Sequence, residues 1–211
     1  MDYDHIIWDW NGTLLNDVSL CVNIANDILH EHRDEHLDID DYRAVFGFPI
    51  TTYYKKIGVD FEKESFEDIT VRFMANYNRH VKKCSLHNTV PQILEAFQLF
   101  QKKQFILTAG HKENVIELLQ YHKIFDYFEE VQGLDNHRAE SKVDKGLHLL
   151  RDNDVDKSCT VLIGDTIHDF EVANELEIDC ILIANGHQSK NRLERKVGTR
   201  VRILDHIGQL I

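Results

Sequence analysis

The chain has 211 residues, 43% of them hydrophobic and 28% charged, with a formal charge of −12. That length suits one ordinary domain, or one domain carrying a smaller insert, and the acidic balance speaks against nucleic acid and anionic membrane as partners, since both call for a basic face. Two prolines and ten glycines speak against disorder and against a turn-rich all-β fold.

Cys21, Cys84, Cys159 and Cys180 show no Cys-x-x-Cys pair and no zinc spacing, so they read as reduced thiols of a cytoplasmic protein. The opening Met1-Asp2-Tyr3-Asp4 is acidic, unlike a signal peptide, and no apolar run approaches membrane-spanning length.

Taken in order, the chain opens on an apolar run, Ile6-Ile7-Trp8, that reads as a buried strand and stops at Asp9, followed by Asn11, Gly12 and Thr13. A helix capped by Asn16 or Asp17 is expected to run to about Glu35, with Val18, Cys21, Val22, Ala25, Ile28 and Leu29 at helical spacing. Helical pattern continues over Asp38–Val45, Thr51–Ile57 and Phe61–Lys83, with Gly47-Phe48-Pro49 as a break. From His87 the rhythm alternates. Helices are expected over Val90–Gln101, Lys112–Tyr121, Lys142–Arg151 and Phe170–Leu176. Strands are expected over Phe105–Thr108, Phe128–Val131, Thr160–Ile163 and Cys180–Ile183, with a weak strand near Val201 and a last helix from Asp205. That alternation implies an α/β protein with a doubly wound, mostly parallel, Rossmann-like sheet. The all-helical stretch 17–83 would be inserted as a cap domain into a core made of residues 1–16 and 84–211.

Four short stretches fall at or beyond the ends of expected core elements: Asp9 to Thr13, Thr108-Ala109-Gly110, Lys142, and Gly164-Asp165 through Asp169. In a doubly wound sheet those ends meet at one crevice. Three carboxylates, one lysine, threonine hydroxyls and glycine-rich loop amides suit Mg²⁺ and a small phosphorylated substrate. Asp9 and Asp165 would ligate the cation with the Asn11 main-chain carbonyl, and Asp169 would support them. Gly12, Thr13, Thr108, Ala109, Gly110 and His111 would meet the phosphate, and Lys142 would neutralise charge. Trp10, Phe46 and Phe48 are candidates for the substrate entrance.

The order Asp-x-x-Gly-Thr, apolar-Thr, Lys, Gly-Asp-x-x-x-Asp resembles the haloacid dehalogenase-like superfamily, and the helical block after the first motif is similar to its phosphoglycolate phosphatase-like branch. The resemblance implies a Mg²⁺-dependent phosphatase, monomer or homodimer, in which Asp9 attacks phosphorus and forms an aspartyl-phosphate. It also exposes a departure. Phosphatases of the family usually carry an acid–base Asp two residues after the nucleophile, where this chain has Asn11. An amide cannot transfer a proton near neutral pH, and general acid–base catalysis contributes roughly 10²–10⁴-fold. Turnover of alkyl phosphates should therefore suffer, and that of acyl or aryl phosphates much less. Either the substrate needs no acid, or His111, His168 or His187 replaces the missing one, or Lys55 or Lys56 supports phosphonate cleavage, or the protein binds Mg²⁺ and phosphate without turnover. Dehalogenases of the superfamily also lack the second Asp, but they do without magnesium, and the retained Asp165 and Asp169 argue against that chemistry.

Overall fold

A computed structural model describes residues 2–32, 36–134 and 141–211. The first strand, β1 (His5–Trp8), leads into four helices: α1 (Val18–Leu29), α2 (Ile39–Val45), α3 (Ile50–Ile57) and α4 (Phe66–His80). These helices bury an apolar cluster of their own, including Val22, Ile28, Leu29, Tyr42, Tyr54, Ile57 and Ile69. The chain then alternates α5 (Val90–Leu99), β2 (Lys103–His111), α6 (Lys112–Tyr121), β3 (Glu130–Leu134), α7 (Lys142–Asp152), β4 (Thr160–Gly164), α8 (Ile167–Leu176), β5 (Asp179–Ile183), α9 (Lys190–Val197) and β6 (Arg202–Leu204).

Among the described residues the six strands are all parallel, in the order β3-β2-β1-β4-β5-β6. Because strand side chains alternate between faces, Ile6 and Trp8 pack with Ile106, Val161, Ile163 and residues of α5 and α6. Ile7 points the other way, among Phe105, Leu107, Leu162 and residues of α7 and α8. A parallel sheet covered on both faces needs this apolar run without polar alternation. Each fully buried aliphatic side chain contributes about 1.5–3 kcal/mol, so the central strand is held from both sides.

Several boundaries differ from expectation. Helix α1 stops at Leu29 because Asn26 pulls the returning chain against it. The Asn26 amide donates to the Leu37 carbonyl (2.9 Å) and its oxygen accepts from the Leu37 amide (2.8 Å). The residues around the expected end at Glu35 lie outside the described ones. The helix expected from Phe61 begins at Phe66, where the Ser65 hydroxyl accepts from the Asp68 amide at 3.1 Å, and its last residues, Val81–Lys83, tighten into a 3₁₀ turn. Strand β3 lies two to three residues later than Phe128–Val131, since Phe128 closes a turn onto Phe125. The chain's last helical piece is a 3₁₀ turn, Ile207–Leu210. Helix α9 is not evident from the sequence because only Leu193 and Val197 are buried in an otherwise polar run.

The two passages between the helical segment and the sheet lie side by side. Leu15 bridges Leu86 in antiparallel sense, the Asn16 amide donates to the Ser85 carbonyl (2.9 Å), and the His87 amide donates to the Leu14 carbonyl (2.9 Å). Among the described residues no helix is long and apolar enough to cross a membrane.

Candidate active site

The chain runs outward from β1 to β2 and β3 on one side and returns to β4 on the other, so the order reverses between β1 and β4. Open parallel sheets bind ligands at such a switch point, beyond the carboxyl ends of the strands. Trp8 pairs with Ile163, and the Asp9 amide donates to the Ile163 carbonyl at 2.9 Å. Asp9 and Asp165 therefore leave the sheet next to one another. Gly12, at φ +75°, lies in the left-handed region that favours glycine, and a Cβ there would collide with the Asp165 carboxylate and the His187 ring.

Around this point one lysine gathers two carboxylates. Lys142 Nζ lies 2.5 Å from Asp9 Oδ1 and 2.6 Å from Asp169 Oδ1, and all three groups are buried. Ser141 positions this lysine by capping α7, accepting from the Asp144 amide while Asp144 accepts from the Ser141 amide. The Thr13 hydroxyl lies 3.2 Å from Asp9 Oδ2 and 3.0 Å from Asp165 Oδ1. Asp165 Oδ2 accepts from the His187 amide at 2.5 Å. Asp169 Oδ2 accepts from the Thr166 amide (2.9 Å), the Thr166 hydroxyl (2.7 Å) and the Asp165 amide (3.2 Å). Both Asp169 oxygens are thus engaged by the protein. Removing the ammonium by Lys142→Met leaves two buried carboxylates without their counter-charge and is expected to cost about 3–5 kcal/mol, read as a lower urea midpoint; an unchanged midpoint would contradict the pairing.

Asn11 is fixed from behind. Its Nδ2 donates to Asp17 Oδ2 (2.8 Å) and to the Tyr77 hydroxyl (2.6 Å), and that hydroxyl donates to Asp17 Oδ2 (2.7 Å). Both amide hydrogens are used, leaving the carboxamide oxygen as the only uncommitted end of the side chain. Asp17 Oδ1 accepts from the Gly12 amide (3.0 Å) and lies 3.2 Å from His187 Nε2, whose Nδ1 lies 2.9 Å from the Tyr42 hydroxyl. Burial works against the charge on Asp17, but the imidazolium of His187 and the donors from Tyr77 and Asn11 outweigh it and hold its carboxyl below the usual range. Burial also opposes the charge on His187, yet Asp17 pushes it up to about 9. The His87 ring braces the same loop: a carbonyl only accepts, so Nε2 must donate to the Gly12 oxygen at 2.9 Å.

The donor set fits a divalent cation. Asp9, Asp165 and Asp169 each place a carboxylate oxygen within 4.8 Å of the others, all buried. Burial and mutual repulsion push Asp9 up to about 6 and Asp165 up to about 8, although Lys142 pulls Asp9 down and His187 pulls Asp165 down. Three buried carboxylates beside one ammonium call for more positive charge, and hard oxygens suit Mg²⁺. A carboxyl whose folded pKa is raised binds more protons folded than unfolded, so its ionisation removes stability as pH rises. His187, raised above its ordinary value, contributes stability that is likewise lost toward about pH 9. Without divalent cation the protein should lose on the order of a few kcal/mol between pH 5 and pH 9. Thermal melts with Mg²⁺ should show that slope flattened; the same slope with and without Mg²⁺ would contradict a cation at these carboxylates.

These groups form the floor of a cavity of about 510 Å³ that opens toward the helical segment. Asp9, Trp10, Asn11, Thr108, Ala109, Gly110, His111, Lys142, Asp165 and Asp169 line it, as do Phe46, Phe48 and His168. Gly12 and Thr13 are not among its lining residues, and the Gly12 amide is taken by Asp17 and the Leu15 carbonyl. The Gly110 amide donates to Thr108 Oγ1 at 2.9 Å, which leaves the Thr108 hydroxyl hydrogen to point elsewhere. His111 Nδ1 lies 3.0 Å from Glu113 Oε2, and the His168 ring sits 4.7 Å from that of Phe48. Lys55 and Lys56 do not line the cavity. Asp17 and Tyr77 stand out only in the structure. In sequence Asp17 reads as a helix cap, yet its side chain caps nothing; the amide at position 11, needing an acceptor, was the available signal.

The model of the haloacid dehalogenase-like hydrolase family matches residues 6–183, and the chain belongs to that family. Solved structures of the same fold include a haloacid dehalogenase-like hydrolase from Streptococcus pneumoniae (18% identity, TM-score 0.80, covering 99% of this chain and 97% of that one). A predicted phosphoglycolate phosphatase from Haemophilus somnus (14%, TM-score 0.74, 100% and 97%) and CbbY from Rhodobacter sphaeroides in complex with phosphate (18%, TM-score 0.73, 99% and 96%) are also similar. Comparison with curated proteins finds no match.

Proposed function

We propose that the protein is a Mg²⁺-dependent phosphohydrolase in which Asp9 takes up the phosphoryl group of a small phosphate monoester. The observation that carries this reading is the convergence of Asp9, Asp165, Asp169 and Lys142 at the base of one cavity. Asp9 and Asp165 would hold the cation, with Asp169 behind them, and the cation would offset charge on the phosphate.

The chain's own groups divide the remaining work. Lys142 keeps Asp9 ionised and, with a third ammonium hydrogen, can also meet a phosphoryl oxygen. The Thr108 hydroxyl and the amides of the following loop donate to the others. Asp9 attacks phosphorus, the ester oxygen leaves with the bonding pair, and water then releases phosphate and restores the carboxylate. The helical segment 17–83 acts as a cap that excludes water. At position 11 no proton is available, so the leaving oxygen must depart unaided or take its proton from solvent.

Phosphonate cleavage through a cap lysine has less support. Among the described residues the cavity-lining lysines are Lys82 and Lys142, and both are paired with carboxylates. The test is phosphate release from acetyl phosphate with Mg²⁺. Turnover is expected, and Asp9→Asn should lower it by about 10⁴-fold or more. Phosphate binding without any turnover would instead mark a regulatory binding protein.

A further inference from the structure

The cavity above the carboxylates is built for an apolar ring. Its walls include Phe46, Phe48, Tyr53, Phe66, Phe73 and Met74, and the rings of Phe46 and Tyr53 meet edge to face at 5.2 Å. Among the described residues, the Lys and Arg side chains lining it are Lys142 and Lys82. Lys142 is committed to Asp9 and Asp169, and Lys82 lies 2.6 Å from Glu117 Oε1. His187 is committed to Asp17 and Tyr42. A leaving group bearing its own carboxylate, as in phosphoglycolate, would be desolvated against these rings, and the groups left to meet it are the Lys82 ammonium, already paired at the surface, and the His111 and His168 imidazoles, which disfavours it relative to an apolar ring.

A second, independent constraint comes from position 11. With both amide hydrogens given to Asp17 and Tyr77, Asn11 offers the leaving oxygen neither a proton nor a hydrogen bond. An alkoxide leaves poorly under those conditions. A phenolate, whose conjugate acid has a pKa near 10, leaves far better. An apolar alkyl phosphate satisfies the walls but not Asn11, and a small acyl phosphate such as acetyl phosphate satisfies Asn11 but leaves the walls unfilled.

We infer that the substrates are aryl phosphates, monoesters of a phenol large enough to fill the aromatic cavity. This rests on the phosphohydrolase reading. Asp9 attacks phosphorus, the aryl oxygen–phosphorus bond breaks, the phenolate leaves with the electron pair and takes a proton from solvent, and water cleaves the aspartyl-phosphate. The net change is aryl phosphate plus water to phenol plus phosphate.

The test compares kcat/KM of the full chain with Mg²⁺ on 1-naphthyl phosphate, phenyl phosphate, acetyl phosphate, phosphoglycolate and glycerol 3-phosphate. 1-Naphthyl phosphate should exceed phenyl phosphate about 10-fold, and phosphoglycolate and glycerol 3-phosphate about 100-fold or more. Phosphoglycolate or glycerol 3-phosphate turned over as well as the naphthyl ester would overturn the substrate class. So would turnover of acetyl phosphate with none of the aryl esters, and in both cases the phosphohydrolase reading would stand. No release from any of the five, acetyl phosphate included, would remove that reading and this one with it. Met74 lines the cavity and is 38% exposed, so the fold should accept a charge there. Met74→Glu should raise KM for 1-naphthyl phosphate about 10-fold; an unchanged KM would overturn the assignment of these walls to the leaving group.

Discussion

Replacing Asn11 by Asp is expected to unsettle the protein before it helps catalysis. The new carboxylate would stand where Nδ2 now lies 2.8 Å from Asp17 Oδ2. Two carboxylates at that separation, one buried and one half-buried, resist ionising together and tend to share a proton. Stability at pH 8 should fall by about 3 kcal/mol and recover as acid supplies the shared proton, because a raised carboxyl pKa withdraws stability only while the group is ionised. Asn11→Asp with Asp17→Asn reverses the pair and restores a donor facing an acceptor. The double variant should regain only part of the lost stability, because His187 loses the charged partner it has in Asp17, and should turn over alkyl phosphates about 100-fold faster than the parent. Urea unfolding and glycerol 3-phosphate kinetics on the four proteins complete the cycle. A single Asn11→Asp variant as stable as the parent at pH 8 would show that Asp17 does not govern position 11.

The second large effect concerns the order of the two chemical steps. Departure of a phenolate needs no acid, but the attack of water on an aspartyl-phosphate gains from a base, and Asn11 cannot accept a proton. Release of the phenol should therefore outrun release of phosphate. Rapid mixing with 1-naphthyl phosphate should give a burst approaching one naphthol per enzyme, followed by a steady rate slower by about 100-fold. In the double variant described above the burst should shrink, because Asp at position 11 can serve the water. A linear time course with equal early release of naphthol and phosphate would mean that some other group activates water.

Much of this arrangement is legible in the sequence because it depends on local, repeating signals. A strand buried on both faces must read as Ile6-Ile7-Trp8, and a carboxylate at its end followed by a glycine turn announces a ligand site. The alternation after His87 gives the parallel sheet, and Ser141 before Lys142 marks a helix start that sets the lysine. What is missed depends on distant partners. Asp17 and Tyr77 are 60 residues apart, and Asp17 and His187 are 170 apart; no periodicity links them. Helix α9 is hidden because its burial rests on two side chains. The early end of α1 depends on Asn26 finding the Leu37 backbone eleven residues on. The cavity walls are a tertiary product as well: Phe46 and Phe48 read from sequence as entrance candidates, but Tyr53, Phe66 and Phe73 fall only within expected helices, with nothing to place them over the carboxylates.

The most direct measurement is chemical trapping at Asp9. The full chain is mixed with Mg²⁺ and 1-naphthyl phosphate, quenched in acid during the burst and reduced with borohydride, which converts an acyl phosphate to an alcohol. The account predicts reduction of the side chain at position 9 in nearly every molecule and none in Asp9→Asn. Sustained turnover with an unmodified Asp9, or with the label on another residue, would contradict it.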